Sequence, residues 1–93
     1  MDRINIYNAS DTGHSAKPQF EKRGNAIFTT IYHKNGAGVL PWYEIRGDKV
    51  FQTEYHPEGK SLHPHFEMRG DAMHTTIHNP MGHSPMPAFH LRK

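Results

Sequence analysis

The chain has 93 residues, of which 34% are hydrophobic, enough for one small domain with a thin core. Its formal charge of +2, from 11 Lys and Arg against 9 Asp and Glu, excludes a strongly electrostatic polyanion binder. With no cysteine, thiol catalysis, disulfides and thiolate metal sites are excluded as well.

The N-terminal segment from Met1 to Tyr7 holds no long apolar run. It predicts neither a signal peptide nor a membrane span, and the expected location is cytoplasmic. Arg3 to Tyr7 reads as a strand. From there on the chain repeats itself. Pro18, Pro41, Pro64 and Pro87 recur every 23 residues. Each is followed by an aromatic (Phe20, Tyr43, Phe66, Phe89), an acid (Glu21, Glu44, Glu67, with His90 in the last copy) and an arginine (Arg23, Arg46, Arg69, Arg92). Gly24-Asn25, Gly47-Asp48 and Gly70-Asp71 come next, then a threonine (Thr30, Thr53, Thr76) and a closing glycine (Gly36, Gly59, Gly82).

Gly-Asn or Gly-Asp between alternating aromatic, β-branched and polar residues is the signal of a two-residue hairpin loop, in which both loop positions can need φ > 0. Each unit is therefore a β-hairpin, for instance 42–46 paired with 49–55, and a polar Pro/Gly link such as His56 to Ser61 leads to the next. No stretch sustains a helical apolar period. The boundaries are 18–40, 41–63 and 64–86, with a split unit formed by 1–17 and 87–93. In the same phase, Met1 takes the turn-glycine position and Gly13 the closing-glycine position.

A linear array would leave an unpaired strand at each end. The expectation is instead an all-β, pseudo-fourfold ring or small eight-stranded barrel in which the first strand pairs with the last. A strand-swapped dimer would satisfy the same complementarity between two chains.

Alternation divides each hairpin into two faces. One collects Phe20, Ile27, Tyr43, Ile45, Val50, Phe66, Met68, Met73, Phe89, Leu91 and Ile4, with Lys22 the exception, and is the predicted core. The other carries Trp42, Glu44, Arg46, Phe51, Thr53 and Tyr55 in the second unit. Aromatics beside arginine suit a contact surface, so Trp42, Tyr55, Phe51, Arg46 and Tyr32 are the expected partner-binding residues. Under closure the acids and arginines would form rings around the axis.

The third unit departs from the others: its non-core face carries His63, His65, Glu67, His74 and His78. Imidazoles and a carboxylate on neighbouring strands could share zinc, nickel or copper. Yet His65 replaces Trp42, His74 replaces Phe51, and His78 replaces Tyr55, so these rings can equally be flat packing residues. No catalytic constellation is identifiable. The reading is a non-enzymatic interaction module that binds a protein partner or self-associates. Metal binding and single-stranded nucleic-acid binding are the alternatives, the latter disfavoured by the balanced charge.

Overall fold

Eight short antiparallel strands run in chain order around a closed barrel, each bonded to the next and β8 bonded back to β1. They are β1 (Arg3–Asn8), β2 (Phe20–Arg23), β3 (Ala26–Thr29), β4 (Tyr43–Arg46), β5 (Lys49–Gln52), β6 (Phe66–Arg69), β7 (Ala72–Thr75) and β8 (Phe89–Arg92). The structure is a computed structural model that describes residues 3–9, 16–80, 82–83 and 86–92. Met1 and Gly13 lie outside the described residues. Among those described there is no helix, and so none long and apolar enough to cross a membrane.

The hairpins β2–β3, β4–β5 and β6–β7 have the predicted two-residue loops, with Arg23 opposite Ala26, Arg46 opposite Lys49, and Arg69 opposite Ala72. The turn type differs from the expectation of two positive φ angles. Gly24, Gly47 and Gly70 have φ of 62°, 64° and 59°, whereas no described non-glycine residue has a positive φ. A positive φ at the first loop position alone is the mark of a type II′ turn, which explains why glycine holds that place while the second alternates between Asn and Asp. The second residue has another task. The carbonyls of Asn25, Asp48 and Asp71 accept the N–H groups of Ile45, Met68 and Leu91 in the next hairpin, at 2.8, 2.7 and 2.7 Å.

Proline, threonine and closing glycine together explain the links. Thr30, Thr53 and Thr76 donate their hydroxyls to the carbonyls of Pro18, Pro41 and Pro64, at 2.6, 2.5 and 2.5 Å. The same oxygens accept the N–H groups of Tyr32, Tyr55 and His78, each at 3.2 Å. One hydroxyl thus fixes the start of the unit to its exit loop. Gly36, Gly59 and Gly82 then reverse the chain with φ of 75°, 83° and 84°, a region where a side chain would strain the backbone.

Strands β1 and β8 pair as the repeat requires, but in a register shifted from the expected one. Leu91 lies opposite Ile6, where strict 23-residue phasing places Ile4. The junctions show why Ile6 is the true equivalent. Ile27 lies opposite Tyr43, Val50 opposite Phe66, Met73 opposite Phe89, and Ile6 opposite Phe20. Because the shift is two residues, the side-chain faces do not invert. Ile4 stays on the inner side and packs, half-buried, against the core.

Inside, Phe20, Tyr43, Phe66 and Phe89 form a closed cycle in which each ring meets the next edge to face. Centroid separations are 5.8, 5.8, 5.7 and 5.6 Å around the cycle. Next to them lie Ile6, Ile27, Val50 and Met73, all at most 2% exposed, with Ile45 and Leu91 completing the buried set. Tyr43 faces Gln52 within its own hairpin but Ile27 across the junction, the stagger that tilts barrel strands.

The hydroxyl staple gives a direct test. Thr53→Val keeps the shape but leaves the Pro41 carbonyl and the Tyr55 N–H without their partner. It should cost about 1–3 kcal/mol in urea denaturation, with Thr53→Ser close to wild type. Equal stability of the Val and Ser variants would contradict this role.

Candidate functional site

On the outer face the repeated side chains engage one another, both within and between units. Arg23 lies over Phe28 at 4.8 Å, Arg46 over Phe51 at 4.7 Å, and Arg92 over Tyr7 at 4.6 Å. Two of these arginines also pair with the acid two residues earlier, Arg23 with Glu21 at 2.7 Å and Arg46 with Glu44 at 3.4 Å. Glu21 with Arg23 and Glu44 with Arg46 therefore engage each other on the outer face. Exposed contacts of this kind are worth about 0.5–1 kcal/mol each.

The five expected contact residues do not form one patch. Arg46 and Phe51 stack on each other. Trp42 turns away from them, because it precedes β4 and lies beyond the strict alternation of the ladder. It packs half-buried against the core, with its ring 4.9 Å from His33 and 4.9 Å from His56. Tyr32 and Tyr55 stand on the links, 48% and 47% exposed.

The histidines of the third unit also separate. His63 and His78 stack at 4.4 Å with planes 15° apart. Glu67 lies opposite His74, but its carboxylate is engaged by Lys49 at 3.2 Å and Arg69 at 3.3 Å. Those hydrogen bonds hold the Glu67 carboxyl below its usual range. His74 fills the place of Phe28 and Phe51, and its buried Nδ1 has no hydrogen-bond partner among the described residues. His65 lies toward His56 and Glu58, with His78 also close to it. Among the described residues, no group of three histidine or carboxylate side chains could hold a metal ion.

Where His65 goes, the structure has a hollow of mixed lining that the residue pattern alone does not reveal. About 260 Å³ in volume, it is lined by Tyr43, Gln52, His56, Glu58, His65, Phe66 and Asn79. It opens at the end of the barrel where the links run. His56 Nδ1 accepts the Glu58 N–H at 3.0 Å, so the neutral ring carries its proton on Nε2. That proton faces the Tyr43 hydroxyl oxygen, 3.4 Å away. Gln52 Nε2 reaches Glu58 Oε1 at 3.4 Å, and Asn79 Nδ2 donates to the His65 carbonyl at 3.1 Å. Burial pushes the Tyr43 hydroxyl up to about 12, with Glu58 adding to the effect. Burial also lowers His56 and His65 below the usual histidine value, although Glu58 acts against it.

One signal could have revealed this place. His33, His56 and Asn79 occupy the same position in successive units, and so do Trp42 and His65. Trp42 fills the space between His33 and His56. The smaller His65 leaves it open. The residue pattern alone places Tyr43 in the core, and His56 and Glu58 on a link.

At the opposite end, Lys22 stands where the other units have Ile45, Met68 and Leu91. There the ammonium side chain borders a hollow of about 540 Å³ with Ile4, Met68 and Leu91, and with exposed Asp71 and Arg92.

Depressed histidine values make stability depend on pH with a definite sign. Neutral His56, His65 and His33 are favoured by the fold, so their contribution is complete above about 6.5, the unfolded value, and is lost as pH falls through the lower folded values. The denaturation midpoint should decline below about pH 6.5, and His56→Asn, which installs the residue of the third unit, should flatten that decline. An unchanged slope in the variant would contradict the assignment. Compared with known proteins, the chain matches no family model, no curated protein and no solved structure.

Proposed function

We propose that this barrel is a non-enzymatic interaction module that docks onto a protein surface through its links, with a second copy of the chain as the partner. One observation carries the reading: large apolar side chains stand in solvent at equivalent positions of the repeat. Val39 and Leu62 are 91% and 88% exposed, Ile31 and Ile77 are 73% and 77%, and Tyr32 and Tyr55 accompany them. Singly exposed apolar residues need no explanation, but a repeated set on one class of loop makes a patch.

The strand face is less suited to docking, since its arginines and aromatics already satisfy each other. The links offer what that face lacks. Their apolar groups have few contacts to give up, and their backbones are fixed by the threonine staple, so little ordering cost falls on association. Repetition around a pseudo-fourfold ring also places like patches where a second ring could meet them.

Sedimentation velocity over a range of concentrations tests this. The wild type should associate, and Val39→Asp with Leu62→Asp should abolish association while leaving the thermal midpoint unchanged. A wild type that stays monomeric throughout, or a double variant that associates equally well, would contradict the proposal.

A further inference from the structure

The hollow beside His65 goes beyond surface docking, because it has the size and chemistry of a small-molecule site. We propose that it binds a small organic cation of the guanidinium or ammonium type, held by the Glu58 carboxylate against the rings of Tyr43, His65 and Phe66. The volume of about 260 Å³ lies just below the range of drug-sized pockets, about 300–1,000 Å³, and suits a ligand of a few heavy atoms.

Three observations support this class of ligand. The first is the way the space arises. In the preceding unit Trp42 sits between the equivalent walls, in ring contact with Phe20, His33 and His56. His65 replaces it while two of the walls persist as Tyr43 and His56, the third becoming the amide of Asn79. A slot with two ring walls is thus left without its aromatic plug.

The second is charge. No lysine or arginine is among the residues that line the hollow, and Glu58 is its one carboxylate. The groups that face His56 and His65 are Tyr43, Glu58, Trp42 and, beside His65, His78. At neutral pH the site therefore carries one negative charge among neutral rings, the arrangement that attracts a cation and favours it over a neutral isostere.

The third is preorganisation. Gln52 is 8% exposed and its amide meets Glu58 Oε1, which orients the carboxylate. The Glu58 backbone N–H is tied to His56 Nδ1. Glu58 itself is exposed, so a ligand can reach its carboxylate from solvent while Oε1 meets the Gln52 amide. Protonation of His56 or His65 would place positive charge beside that carboxylate, so affinity should fall below about pH 6.5.

The test is a ¹H–¹⁵N NMR titration of the wild type with guanidinium chloride at low millimolar concentration. Urea serves as the neutral planar isostere, with ionic strength matched throughout. Guanidinium should give saturable shifts centred on Gln52, His56, Glu58 and His65, and urea should give none. Glu58→Gln should weaken binding about tenfold, the scale of one lost charge-assisted contact. His65→Trp, which restores the plug of the preceding unit, should abolish it while the remaining spectrum keeps its dispersion. Equal shifts with urea, the absence of saturable shifts, or undiminished binding in both variants would overturn the proposal.

Discussion

Four aromatic rings, one from each unit, meet edge to face in a closed cycle, and the rest of the molecule is arranged around that contact. Phe20 touches both Tyr43 and Phe89, so the cycle has no end and no ring can be moved without disturbing two neighbours. Edge-to-face contacts favour one orientation, and four of them in series impose a fourfold symmetry on the chain. This constrains spacing. Each unit must return its aromatic to the same height and angle, which accounts for an invariant period of 23 residues. The glycine turn, the threonine staple and the reversing glycine are the devices that keep it.

Closure has a second consequence, for the sheet edges. In an open array of hairpins, the outer edges of the first and last strands would present free backbone groups. Here β1 and β8 satisfy each other, and the two Ile6-to-Leu91 neighbours join the same buried layer as the pairs elsewhere in the ring. A core drawn from a chain that is 34% hydrophobic is sufficient because almost every inward position is used once, by one unit. Lys22 is the position where the pattern lapses.

Much of this architecture was legible in the sequence because repetition averages out local noise. A lone Gly-Asp is weak evidence for a turn, but Gly24, Gly47 and Gly70 at equal spacing leave little else. The register of β1 was not legible. Ile4 and Ile6 both point inward, and alternation alone cannot choose between residues two apart. Only the junction pairing with Phe20 decides it. Trp42 was misplaced for a related reason: the rule of alternating faces holds within a ladder, and this residue sits one position outside it. The third-unit histidines share a face by pattern, yet the end of the barrel draws His65 toward His56 while Lys49 and Arg69 take Glu67. The hollow at His65 depends on a wall contributed by the preceding unit, so only a comparison of whole units, Trp42 against His65, could have exposed it.

The central claim is that one chain closes its own ring in the Ile6-to-Leu91 register. An isotope-filtered NOESY experiment on a mixture of labelled and unlabelled protein, refolded together, tests it most directly. Closure by a single chain predicts cross-strand contacts between the backbones at Ile6 and Leu91 that arise within single chains. Contacts at Ile4 and Leu91 instead, or the same contacts appearing between labelled and unlabelled chains, would contradict it, the latter pointing to a strand-swapped dimer.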